Sequence, residues 1–174
     1  MRPSTGRASA LGGRVAIAAV AAASSLALGL GCGPASVPLQ ISFPSTETFL
    51  VTRSMRMRIY AIDEATSCAS LVTAAVNGRD PEGELLFELA DASPCDVRAG
   101  VAVPDVGGGL RGFLVEGLDS TGNNTILAGC SQDEVHVGAR VSVALFPTSR
   151  YDAAYQADMP ASGENIEDRC RGGT

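Results

Sequence analysis

Met55-Arg56-Met57-Arg58-Ile59-Tyr60-Ala61 is the stretch whose reading decides the fold. Met55, Met57, Ile59 and Ala61 fall on one side of an extended chain, and Arg56, Arg58 and Tyr60 on the other. Side chains of a strand point alternately to opposite faces, so this period predicts a strand with one apolar and one polar face. Similar short runs lie on both sides of it. Residues 39–43 (LQISF) alternate, residues 49–52 (FLVT) read as a short strand, and residues 85–89 (LLFEL) place Leu85, Phe87 and Leu89 in phase. Residues 97–103 (VRAGVAV) form a weaker strand ended by Pro104, after a loop over 91–96. Residues 110–118 and 126–128 flank the turn formers DSTGNN, a hairpin signature. Val141, Val143 and Leu145 alternate with Ser142 and Ala144 until Pro147 closes the run.

One helix is predicted near 67–77. Thr66 or Ser67 caps it, and Cys68, Leu71, Val72 and Ala75 repeat at i, i+3, i+4 and i+7. Asn77-Gly78 supplies its stop and Pro81 follows. About seven short strands, one helix and no strand–helix–strand rhythm predict an all-β protein, a compact antiparallel β-sandwich over residues 39–147. Beyond Pro147 the pattern ends, and residues 148–174 read as a flexible acidic tail.

The 174 residues carry 13 cations, all arginine, against 19 acids, for a formal net charge of −6. An acidic chain of pI about 4.7 excludes a strongly basic nucleic-acid binder. The single histidine, His136, excludes a multi-histidine metal site within one chain. No metal or other cofactor is expected.

Residues 1–31 read as an export signal: Arg2, Arg7 and Arg14, then an uncharged run over 15–30, then small residues. That run is shorter than the ~20 residues that span a bilayer comfortably. An uncleaved anchor is the alternative. The ending Leu28-Gly29-Leu30-Gly31-Cys32-Gly33 resembles a bacterial lipobox, in which a small residue precedes a lipidated cysteine. The resemblance implies cleavage before Cys32, acyl chains on its thiol, and a tether over 32–38. Two or three acyl chains hold a protein on a membrane far more firmly than one. Ordinary cleavage near Gly31 is the competing reading. After cleavage before Cys32, ten arginines would face 19 acids.

Four cysteines follow: Cys68, Cys95, Cys130 and Cys170. There is no C-x-x-C spacing, so neither a zinc knuckle nor a thioredoxin-type site is supported. An even number in an oxidising compartment points to two disulfides, with three possible pairings. Cys68 with Cys130 would tie the helix to a core strand, and Cys95 with Cys170 would pin the tail. Free thiols are the alternative.

Residues 53–145 also resemble uncharacterised lipoproteins of Gram-negative, GC-rich bacteria with an Ig-like or transthyretin-like sandwich. The residues carrying this are Arg58-Ile59-Tyr60, Cys68-Ala69-Ser70-Leu71, residues 111–119 (RGFLVEGLD) and Gly129-Cys130. The resemblance implies a fold and a location in the cell envelope, at the outer membrane facing the periplasm. It carries no catalytic residue.

Candidate chemistry is sparse. The run 107–112 (GGGLRG) lacks the order and the lysine of a phosphate loop and reads as a hinge. His136 has Glu134 near it but no nucleophile motif. Asp63-Glu64, Asp133-Glu134 and Asp119 with Asn123 offer hard oxygens without EF-hand spacing. Arg56, Arg58 and Tyr60 form the candidate ligand surface, for an acidic glycan or a partner's carboxylates. The expectation is a non-catalytic binding or structural module anchored by lipid, with an envelope protein or glycan as partner. Its rivals are an envelope hydrolase built from scattered acids and His136, and a structural subunit of a secretion or transport complex.

Overall fold

The computed structural model describes residues 36–171, so the export signal, Cys32 and most of the tether lie outside the described residues. Strands dominate, with a few short helices between them. The strands are β1 (Val37–Ser42), β2 (Ser54–Ala61), β3 (Leu85–Ala92), β4 (Val101–Val103), β5 (Gly109–Leu118), β6 (Thr125–Val135), β7 (Val141–Ala144) and β8 (Phe146–Pro147). The helices are α1 (Thr46–Val51), α2 (Cys68–Val76), α3 (Pro94–Ala99), α4 (Tyr151–Ala157) and α5 (Ile166–Arg171).

Each helix beyond α2 corrects a sequence expectation. Residues 49–52 are not a strand. Ser45 and Thr48 make a reciprocal capping box there, each backbone N–H donating to the other's hydroxyl at 3.1 and 3.2 Å. That cap starts α1 and outweighs the strand preference of Phe49 and Val51. The end of the predicted loop over 91–96 and the front of the predicted strand over 97–103 become α3, while Asp91 and Ala92 extend β3. Ser93 caps it, accepting from the Cys95 N–H at 3.2 Å, and Pro94 sits at the first helical position. There its fixed φ favours the helix and its missing N–H costs nothing. Residues 148–174 are not a featureless tail, because they carry α4 and α5. β1 also begins at Val37, inside the predicted tether.

β2, β3, β5, β6 and β8 form a five-stranded antiparallel sheet in the order β3-β2-β5-β6-β8. β4, β1 and β7 form a three-stranded sheet. Its β1–β7 pair is parallel, which departs from the all-antiparallel expectation. Leu39 lies opposite Val141, so no hairpin constrains their direction. One apolar core belongs to both sheets. Val37, Leu39, Val103, Val141 and Val143 meet Met55, Met57, Ile59, Phe113 and Val115 in it, each under 5% exposed.

Among the described residues the chain passes between the sheets five times. After β7, Leu145 donates its N–H to Ser42 O, and Thr148 donates to Ile126 O, both at 2.9 Å. Residues 141–148 thus leave the small sheet and join the large one. α1 and α3 make two of the others, between β1 and β2 and between β3 and β4. Beside the crossing after β7, β6 and β7 touch backbone to backbone. A Cβ on Gly129 would collide with the Ala144 carbonyl oxygen, so only glycine fits there.

The five-stranded sheet is covered on its other face as well. α2 lies on it, and Leu71 and Ala75 pack on Tyr60 and Leu114. A Cβ on Gly112 would come within 3.0 Å of Leu71 and closer still to Ile62, so the helix approaches the strand without clearance. The Cys68–Cys130 disulfide fixes α2 to β6. The Cys95–Cys170 disulfide fixes α5 to α3. The Arg169 guanidinium adds hydrogen bonds to the carbonyl oxygens of Leu50 and of Thr52 (2.9 Å), capping the end of α1. Burial, helped by Arg53, lowers the Arg169 guanidinium from its ordinary value.

Candidate functional site

The polar face of β2 was the sequence's candidate ligand surface, and the structure closes it. Arg58 is 5% exposed and Tyr60 2% exposed, while Arg56 is half-buried. A period of two distinguishes the faces of a strand but does not show which face meets water. Here α2 and the segment after it cover the face on which Arg58 and Tyr60 stand. Burial pushes the Tyr60 hydroxyl above its ordinary range.

Arg58 sits in a buried network. Its Nη2 donates to Glu116 Oε2 at 2.6 Å, and the Thr125 hydroxyl donates to Glu116 Oε1 at 2.9 Å. Nη1 reaches the exposed Asp80 at 3.4 Å, and Nε has no partner. Burial opposes the Arg58 charge, but the Glu116 carboxylate beside it prevails and raises the guanidinium above its ordinary value. A buried pair of this kind contributes little net stability, yet removing one partner costs about 3–5 kcal/mol. Glu116 was missed as a partner. The signal was its place inside the apolar run over 113–118 (FLVEGL), where an ionised side chain needs a counter-charge.

The other candidates are held in local structure. Asp63 accepts from the N–H groups of Ala65 (2.9 Å) and Thr66 (2.7 Å), turning the chain into α2. Asp119 closes the β5–β6 hairpin. It accepts from Thr121 Oγ1 and Asn124 Nδ2, both at 2.7 Å, and from both backbone N–H groups. Its side-chain partner is Asn124 rather than Asn123. Burial would raise the Asp119 carboxyl, but the hydrogen bonds from Asn124 and Thr121 hold it below the usual range. Asp133 accepts from the Ser131 hydroxyl. Among the described residues no group of three or more His, Cys, Asp and Glu is placed to hold a metal ion. His136 is exposed after β6, with Nδ1 3.1 Å from the Val137 carbonyl oxygen. Arg111 ties down the glycine run, donating to the carbonyls of Gly108 (2.5 Å), Leu110 (3.2 Å) and Val106 (3.3 Å). The expected hinge is therefore braced by a guanidinium.

Among the described residues, three of the open concavities stand out as places where a ligand could sit. One of about 450 Å³ lies between α2 and the segment 79–82, lined by Ser70, Thr73, Arg79, Asp80 and Glu82. A second, of about 540 Å³, is an apolar trough between α2 and β6–β8, with the Cys68–Cys130 disulfide, Val72, Val76 and Phe146 in its walls. A third, of about 680 Å³, lies between α1 and α4 and carries two tyrosines and two acids. Among the described residues no helix is long and apolar enough to cross a membrane. Set against family models, curated proteins and solved structures, the chain matches none of them.

Proposed function

We propose that the chain is an envelope lipoprotein, anchored through acyl chains on Cys32, that presents a small disulfide-stapled β-sandwich as a non-catalytic binding or structural module. The cysteine pattern carries this reading. The chain has five cysteines, and the four among the described residues bond to one another as Cys68–Cys130 and Cys95–Cys170. Two such bonds suit an oxidising compartment. The fifth cysteine stands directly after an apolar export-like run. In this reading the export signal is removed, and the folded part faces the periplasm from the outer membrane. Two sheets sharing one core support the word sandwich. A binding role fits the open concavities better than a hydrolase does. His136 and the acids around the chain serve separate turns and loops rather than one cleft.

Intact mass of the protein taken from its own membranes, before and after reduction, tests the reading. The expected mass starts at Cys32, carries acyl chains and gains four hydrogens on reduction. A mass without lipid, or one that retains residues 1–31, overturns it.

A further inference from the structure

The concavity between α1 and α4 differs chemically from the two described before it. Its walls are Pro44 and Glu47 on one side and Pro147, Tyr151, Asp152 and Tyr155 on the other. Tyr151 and Tyr155 are one turn apart on α4, with ring centroids 6.1 Å apart and planes inclined by 37°. Both rings are half-buried, resting on the core below and open to the groove above. Glu47 and Asp152 are exposed beside them. No residue lining the groove is basic. Arg150, adjacent in sequence, lines a separate concavity with Asp119 and Asn124. Both acids line the same groove as the rings. Burial raises the Tyr151 hydroxyl, and Tyr155, Glu47 and Asp152 add to that rise. Glu47 itself is held ionised below the usual range by its own backbone N–H and the Ser45 hydroxyl.

Aromatic faces flanked by carboxylates, with no cation to answer them, are complementary to a planar cation. A guanidinium stacks on a tyrosine face within about 6 Å and offers a donor fork to a carboxylate at the same time. We propose that this groove binds an extended basic peptide segment of an envelope partner, with arginine side chains stacked on Tyr151 and Tyr155 and paired with Glu47 and Asp152. An acidic or phosphate-bearing ligand would meet like charge at the same place. The proposal deepens the binding-module reading given above and rests on it for the role and the compartment.

The chain lacks tryptophan, and two of its three tyrosines line the groove, so intrinsic tyrosine fluorescence reports on this site. The test titrates the whole chain, in non-ionic detergent with its disulfides intact, with an arginine–proline repeat peptide and with its glutamate–proline counterpart. The arginine peptide is expected to change the tyrosine emission saturably and to bind more weakly as salt rises. The glutamate peptide is expected not to bind. Tyr155→Ala should weaken binding about two- to fivefold. Because Tyr155 also packs on the core, the exposed double variant Glu47→Gln with Asp152→Asn keeps the test independent of folding. It should weaken binding severalfold and flatten the salt dependence. Equal binding of both peptides, no binding of either, or an unchanged affinity in the double variant overturns the proposal. A failed titration on a chain whose mass shows the lipid removes this site and leaves the anchor standing. A mass without lipid removes the anchor whatever the titration shows.

Discussion

The two faces of the five-stranded sheet are closed by different means. The face toward the small sheet is sealed by shape: Met55, Met57, Ile59, Phe113 and Val115 meet Val37, Leu39, Val141 and Val143, with apolar side chains throughout. The face under α2 is sealed by directed bonds. Its buried apolar cluster has four members, Tyr60, Leu71, Ala75 and Leu114, and beside it stand one buried ion pair and one disulfide. Area burial tolerates small changes, because the loss scales with the surface removed. An ion pair or a covalent tie is made or lost as a unit, so the second face should fail abruptly where the first fails by degrees.

The largest break in that comparison comes from Glu116→Ala. It leaves the Arg58 charge buried without its counter-ion and should cost about 3–5 kcal/mol, read as a lowered urea midpoint. Arg58→Met combined with Glu116→Leu sharpens the point, since the double variant should recover most of that loss or exceed the parent. A double variant as unstable as the single would show that the network orders the sheet in its own right. Next comes loss of the Cys68–Cys130 tie. Cys68→Ser with Cys130→Ser opens a loop of 62 residues and should cost about 2–4 kcal/mol. Hydrogen exchange in α2 should rise more than in β1 or β7. On the inner face, Ile59→Val removes one buried methylene and should cost only about 0.5–1.5 kcal/mol, with a single cooperative transition kept.

One further effect belongs to neither face. Asp119 titrates below the ordinary carboxylate range in the folded chain. Its contribution is therefore fully present above the unfolded value of about 3.9 and is lost as pH falls through the lower folded value. Asp119→Asn should lower the melting temperature by the equivalent of about 1–2 kcal/mol at pH 6, and the difference should fade in strongly acid solution. A difference that is the same at pH 6 and at pH 2 would show that the carboxylate charge plays no part.

The inner face was legible in the sequence because its apolar residues repeat every second position within single strands. The outer face was not, because what covers it comes from elsewhere in the chain. Arg58 meets Glu116 and Asp80, and Tyr60 meets Leu71. No local period carries that information. Two disulfides were legible in the even cysteine count, but the pairing was only a preference among three, and the structure has the preferred one. α1 was misread because its capping box uses Thr48 where a Glu or Gln is the usual signature. α3 was misread because Ser93-Pro94 in DASPCD reads as part of a loop as readily as the cap and first position of a helix. The tyrosine groove was invisible for the same reason as the ion pair: residues 44–48 and 147–156 meet only after folding.

The parallel pairing of β1 with β7 has a consequence for the order of events. Leu39 waits for Val141, about a hundred positions later, before the small sheet gains its third strand. Both disulfides likewise join cysteines that are 62 and 75 positions apart. Contacts so distant along the chain make for slow folding. The hairpin of β5 and β6, adjacent in sequence and paired over nearly its whole length, can form early. Until Ala144 has been made, β1 keeps an edge open, and whatever guards the emerging chain must guard that edge longest.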